Sequence, residues 1–260
     1  MAGDEANSRD AEFWRNYLDN PDSMQTVGRH VFRRLPSDPR CQLCAAPFKG
    51  LGGTAMRAIG KRQSVGNPRL CTSCQSVLIK HHGGGEVDGA LLFADVRGST
   101  SIAEKLAPAD YRALLDRFYT VSSEACFEHG GIVDKFVGDE LVAMFPPMLG
   151  ARYAERAIHA AQDVLRSTGH TDPNGPWIPV GAGVHSGPFW FGAVGQGLHT
   201  EVTIVGDLVN ITSRLASLAK AGEILASVDA AAQAGLATDH SQPLSVKGRA
   251  EPIEVVSLSA

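Results

Sequence analysis

Nowhere in the 260-residue sequence does an apolar run approach the roughly 20 residues that a membrane-spanning helix needs. The N-terminus, MAGDEANSRDAEF, is polar and acidic, with no apolar stretch of the kind a secretory signal requires. There is no internal repeat and no low-complexity tract. Cysteine is scarce: of the five, four fall as two Cys-x-x-Cys pairs and Cys126 stands alone. That is poor material for a disulfide framework and good material for a metal site in a reducing compartment. These absences point to a cytoplasmic protein with no membrane partner.

At 260 residues and 43% hydrophobic content, the chain can bury one full-sized core and a small second module. The net charge of −4 is unevenly spread. Residues 29–82 carry ten Lys or Arg against Asp38 alone, a net of +9, whereas residues 83–260 come to −9. A basic segment lies between acidic ones. The expected organisation is an N-terminal helical segment (1–35), a basic cysteine module (36–82), a Gly-rich linker (83–89, with the run HHGGGEVDG) and a main domain (90–260).

The main domain alternates its elements. ALLFADV (90–96) reads as a buried strand, 108–130 as a helix ending at Gly130-Gly131, and 131–145 as a hairpin. A second helix over 150–169 is followed by strands over 178–195 and 200–207. A third helix (207–222) and a closing hairpin (244–258) complete the pattern, an α+β sheet with helices on one face.

Asp95 ends the first strand, just before small residues that can open a helix. Asp139 sits in the hairpin DKFVGDELVAMF. If the hairpin lies beside the first strand, the two carboxylates converge, and a carboxylate pair is what two Mg²⁺ or Mn²⁺ ions beside a polyphosphate require. Taken singly, Asp95 reads as a helix cap and Asp139 as a turn residue. Asn210 and Arg214 stand four apart on a helix and share a face. Such a pair can orient a ribose and stabilise charge on a phosphorus in transfer, though alone it also fits a solvated face. Lys247 alone reads as surface charge. Turn chemistry leaves Lys135, set inside an apolar run, unexplained.

In order and spacing, LLFADVRGSTSIAE, DKFVGDELVAMF, GVHSGP and IVGDLVNITSR resemble the class III nucleotidyl cyclases, over roughly residues 88–258. The resemblance implies a ferredoxin-like, palm-type antiparallel sheet with helices. It implies that Asp95, the Val96 carbonyl and Asp139 hold two Mg²⁺ or Mn²⁺ ions. Asn210 and Arg214 fall on the transition-state pair, and Lys247 is similar in position to a triphosphate-binding lysine. Lys135 falls where the adenylyl branch reads the adenine ring. Its usual aspartate partner is replaced here by Thr203, as in a subset of adenylyl cyclases. The implied reaction is ATP to 3′,5′-cyclic AMP and pyrophosphate in a homodimer with shared sites. Alternatives are a cyclase for GTP or a pyrimidine triphosphate, and a non-catalytic cyclase-like signalling module with a nucleic-acid-binding zinc domain. VGDELVAMF also resembles the diguanylate cyclase hairpin, a reading that leaves Lys135 and NITSR without a role.

Cys41, Cys44, Cys71 and Cys74 form C-x₂-C-x₂₆-C-x₂-C, four thiolates suited to tetrahedral metal, with Zn²⁺ first and an iron–sulfur cluster second. Free or redox-switching thiols are the third reading. The basic charge of this module suits docking on the acidic main domain, and a regulatory role, better than binding of nucleic acid.

Overall fold

The structure, a computed structural model, describes residues 12–14, 16–19, 28–29, 31–32, 35, 39–65, 68–80, 84–194, 201–245 and 251–260. It divides into two compact units. One comprises Met1–Val87, Pro147–Ala151 and Trp190–Ile204; the other comprises Asp88–Pro146, Arg152–Phe189 and Val205–Ala260. None of the described helices is long and apolar enough to cross a membrane.

In the first unit, residues 12–14, 16–19, 28–29 and 31–32 are helical, within the stretch where the sequence predicts helix. Trp14 is fully buried, its ring edge-on to Phe191 at 5.8 Å between centroids. Two short helices follow, α1 (Gly50–Ala58) and α2 (Thr72–Lys80). His81 and His82, spare ligands at best by sequence, lie outside the described residues.

The remaining elements run β1 (Gly84–Val96), α3 (Ser99–Lys105), α4 (Pro108–Glu128), β2 (Ile132–Val137), β3 (Glu140–Phe145), α5 (Tyr153–Ser167), β4 (Val180–Val194), β5 (Glu201–Val205), α6 (Asp207–Leu218), β6 (Ile224–Ser227), α7 (Val228–Gln233), β7 (Gln242–Leu244) and β8 (Ile253–Leu258). The strand order is β2-β3-β1-β4-β6-β8-β7, with β5 paired to β4 off this path. The β1–β3, β2–β3, β6–β8 and β7–β8 pairs are antiparallel, while β4 and β6 are parallel. A parallel pair needs a crossover, and α6 lies in the connection between them. This α+β sheet with helices is the expected fold class.

Two expectations need correction. Residues 84–89 are the first half of β1, not a flexible linker. At Gly84 a Cβ would stand 2.3 Å from the Phe191 carbonyl oxygen, so this glycine permits a close backbone approach within a strand. Nor do the helices share one face. Ile224 and Ala226 of β6 pack into the main core with residues of α5 and α7. Leu225 packs instead with Ile211 and Leu215 of α6 and with Val255. Successive strand residues point to opposite faces, so α6 lies across the sheet from α5 and α7. It comes very close: a Cβ on Gly183 of β4 would stand 2.4 Å from the Ala216 backbone nitrogen and 2.6 Å from the Thr212 carbonyl oxygen. Beside them, Ala182 and Val184 face the main core.

The closing hairpin is present as the β7–β8 pair. The short β6 and α7 are additions to the sequence reading. Ser227 joins them: its hydroxyl accepts from the Ala230 N–H at 3.2 Å and lies 2.8 Å from His185 Nδ1.

Candidate active site

Along β1, Ala90, Leu92, Ala94 and Val96 enter the main core, so Asp95 lies on the opposite face of the sheet. On β3, Leu141, Ala143 and Phe145 are the core residues. The register sets Ala94 against Leu141 and Asp95 against Glu140, which places both acids on one face. The Val96 N–H donates to the Asp139 carbonyl at 3.3 Å, closing the hairpin tip onto the end of β1.

Burial pushes the Asp95 carboxyl up to about 6, helped by the negative charge and hydrogen bond of Asp139 and opposed by the Arg97 guanidinium. Glu140 is pushed up to about 7, first by burial and then by the charges of Asp95 and Asp139. Three carboxyl groups are crowded together with too little positive charge to satisfy them. That donor chemistry fits hard divalent cations, which prefer carboxylate and carbonyl oxygens.

Arg97 pairs with Asp95 and spans toward the end of α6. Its Nη1 donates to the Ser217 carbonyl at 2.8 Å and to the Ala219 carbonyl at 3.4 Å, while its backbone N–H donates to the Pro179 carbonyl at 2.8 Å. The strand end bearing Asp95 is thereby tied to the helix bearing Asn210 and Arg214. At the hairpin tip, Gly138 takes a left-handed φ of 61°. The Tyr119 hydroxyl donates to the Gly138 carbonyl, and its ring stacks on Phe136 at 4.0 Å.

Lys135 reaches the acidic face through an irregularity. Val133 pairs with Ala143 and Lys135 with Val142, so the register shifts at Asp134. Strict alternation from Val133, a core residue, would send Lys135 into the core as well. The extra residue reverses the parity. Lys135 shares the face of Val142, the face of Glu140 and Asp95. Its Nζ lies 3.8 Å from Asp134 Oδ2, whose side chain is only 3% exposed.

Asn210 and Arg214 are both exposed on α6, opposite the buried Ile211 and Leu215. Among the described residues neither hydrogen-bonds to Asp95 or Asp139. Thr203 is buried in β5, in the first unit. Lys247 lies outside the described residues. Sequence reading missed Arg97, Glu140, Asp134 and Tyr119. An acid directly after Asp139 and an arginine two residues after Asp95 were the available signals.

The four paired cysteines converge. All are buried, and their sulfur atoms lie within 4.8 Å of one another. Cys44 Sγ and Cys71 Sγ are 3.7 Å apart. Mutual hydrogen bonds push the Cys41 and Cys74 thiols up and hold Cys44 and Cys71 below the ordinary thiol value. None of the five cysteines is in a disulfide. Cys126 is enclosed in the main core, and burial pushes its thiol up to about 12, as befits a packing residue.

The family model of the adenylate and guanylate cyclase catalytic domain matches residues 86–259. An adenylate cyclase of Anabaena cylindrica is 34% identical over 141 residues, covering 50% of this chain and 27% of that protein. The terminal-differentiation-specific adenylate cyclase of Dictyostelium discoideum is 32% identical over 133 residues, 50% of this chain and 6% of the relative. The aligned part is thus about a quarter or less of each relative's length. Among solved structures, the guanylyl cyclase Cya2 superposes with a TM-score of 0.60 at 27% identity, covering 67% of this chain and 93% of the other. The adenylyl cyclase CyaB from P. aeruginosa gives 0.59 at 25%, covering 68% and 96%. With the match spanning the strands that carry Asp95 and Asp139 and the helix that carries Asn210 and Arg214, the chain belongs to the adenylate and guanylate cyclase catalytic-domain family, the class III nucleotidyl cyclases.

Proposed function

We propose that the protein is an adenylyl cyclase, a lyase that forms 3′,5′-cyclic AMP and pyrophosphate from ATP. The observation that carries this reading is the single sheet face shared by Asp95, Glu140 and the bulge-turned Lys135, with Asp139 at its rim. Two relatives named as adenylate cyclases, at 34% and 32% identity, support it.

Asp95, the Val96 carbonyl and Asp139 would hold two Mg²⁺ or Mn²⁺ ions. When bound, such ions acidify a ribose 3′-hydroxyl and neutralise a departing pyrophosphate. The chain's own groups do the rest. Lys135 donates to adenine N1, where guanine presents a donor and is disfavoured, and the Thr203 hydroxyl accepts from the adenine amino group. Asn210 orients the ribose, Arg214 faces the charge that builds at the α-phosphorus, and Lys247 binds the triphosphate. The 3′-hydroxyl attacks in line, and no covalent enzyme intermediate forms. Asn210 and Arg214, exposed on α6, serve together with Lys135 and Thr203 the metal site of a second copy of the chain, so the active form is a cytoplasmic homodimer with two equivalent sites. The cysteine module, holding Zn²⁺ or an iron–sulfur cluster, regulates it.

GTP is the second reading, favoured by the similarity to guanylyl cyclase Cya2. A product assay with each of the four ribonucleoside triphosphates and Mg²⁺ or Mn²⁺ separates the two. Cyclic AMP from ATP alone, lost in Asp95→Ala, supports the proposal. Cyclic GMP instead keeps the mechanism and overturns the roles of Lys135 and Thr203.

A further inference from the structure

Outside residues 86–259, which match the cyclase family, the cysteine module has chemistry of its own. Cys41 and Cys44 belong to one tight loop, in which the Cys41 N–H donates to the Ala46 carbonyl at 2.9 Å and the Ala45 N–H donates to the Cys41 carbonyl at 2.8 Å. Ala45 takes a left-handed φ of 58°, the sole non-glycine residue to do so among those described. A conformation that disfavours a Cβ persists only where its surroundings hold it. The surroundings here are those two bonds and a buried Arg29, whose guanidinium donates to the Gln42 and Leu43 carbonyls inside the loop. Cys71 lies just before α2 and Cys74 in its first turn. The Cys71 N–H donates to Cys41 Sγ at 3.3 Å, and the Cys74 N–H donates to Cys71 Sγ at 3.4 Å. Amides directed at sulfur favour thiolates and orient them.

We propose that these four sulfurs bind a single tetrahedral Zn²⁺ whose role is structural, and not an iron–sulfur cluster. A Zn–S distance of about 2.3 Å places tetrahedral sulfurs about 3.8 Å apart. The Cys44–Cys71 separation is 3.7 Å, and no pair exceeds 4.8 Å. In a cluster, the cysteines are spread over two or four irons separated by inorganic sulfide, which forces some ligand sulfurs much farther apart. This set encloses one ion.

The site is also closed. The four cysteines are at most 1% exposed, leaving no position for water, substrate or an oxidant. Zn²⁺ with four thiolates carries a net charge of −2, and the ten Lys and Arg of residues 29–82 offset it. The ion closes the 26-residue loop between Cys44 and Cys71 and completes a core otherwise built from a few side chains, among them Leu43, Phe48, Met56 and Leu70.

The test uses the full chain purified without added metal and does not depend on cyclase turnover. Elemental analysis is expected to find one equivalent of zinc, negligible iron or acid-labile sulfide, and no visible absorption. Exchange with Co²⁺ is expected to produce the intense visible bands of tetrahedral cobalt thiolate. Cys41→Ser should lose the zinc and unfold at lower temperature, whereas Cys126→Ser, altered in the other unit, should keep it. Because the zinc content is read on the unaltered protein, a Cys41→Ser chain that fails to fold leaves the test intact. Iron at the site, with or without sulfide, overturns the proposal. So do a metal-free protein with four readily titrated thiols and a cobalt spectrum of octahedral weakness.

Discussion

Lys135 pairs across the β2–β3 ladder with Val142, the immediate neighbour of the residue that pairs with Val133. Asp134 is the extra residue, and its nearly buried carboxylate lies 3.8 Å from the ammonium it helps to place. Asp134→Ala removes that partner from a half-buried lysine and is expected to cost about 1–3 kcal/mol of stability. Denaturant unfolding of the two proteins checks this. If Lys135 reads the base, Lys135→Ala should lower ATP turnover about 10-fold or more while leaving the magnesium dependence intact. Unchanged preference among the four nucleotides removes Lys135 from base recognition.

If the carboxyl crowd at the end of β1 holds magnesium, as proposed, that binding has a defined pH dependence. Asp95 and Glu140 are raised to about 6 and about 7 in the folded chain. For an acid with a raised folded pKa, the stability contribution is full below the unfolded value and is lost as pH rises through the folded one. The ion-free protein therefore loses stability from these two groups between about pH 4 and pH 7. A divalent ion that needs the ionised carboxylates should restore it, more strongly at pH 7.5 than at 5.5. Thermal unfolding with and without Mg²⁺ at both values reads the difference. An equal shift at the two pH values contradicts the assignment.

His170 sets a second pH limit of opposite sign. Its Nε2 accepts from the Val180 N–H at 3.0 Å, and burial lowers its pKa. A depressed folded value means that the contribution is present above the unfolded value of about 6.5 and is lost as pH falls below it. His170→Gln should flatten the stability profile below about pH 6.5, measured by urea midpoints.

Gly183 lies under α6 with no room for a methyl group. Gly183→Ala must push on backbone atoms of α6, so a loss of about 1–3 kcal/mol is expected. Because α6 carries Asn210 and Arg214, activity should fall further than the stability loss alone predicts. Circular dichroism with a turnover assay tests the pair of effects.

If the sites are shared between two copies, as proposed, a mixing experiment is decisive. Asp139→Ala and Arg214→Ala should each reduce turnover about 100-fold or more. Mixed together, they should recover activity, because one site of each heterodimer then has both residues intact. No recovery between two folded variants means that each site is built within one chain.

The arrangement of the sheet explains what could be read from the sequence alone. The runs at 90–96 and 131–145, the helical period of 108–128 and the four motifs are local patterns, and each became the expected element. The cysteine spacing is similarly local, and the four thiols meet as expected. The glycines of 84–89 misled because composition cannot distinguish a loose tether from a strand pressed against another backbone. The four-residue β6 and six-residue α7 are too short to carry a period. Arg97 is one more surface-type charge until folding brings Asp95 and the end of α6 to it.

Legible in the sequence were the cyclase family, the strand that ends on Asp95, the hairpin that carries Asp139, the Asn-x-x-x-Arg helix and the pairing of the cysteines. These are order, spacing and side-chain chemistry, which a chain carries before it folds. Folding alone reveals that α6 crosses the sheet opposite α5 and α7, that Glu140 joins Asp95, and that one extra residue in β2 turns Lys135 toward them. Each depends on strand register or on which sheet face an element covers, and a shift of one residue reverses which face a side chain occupies.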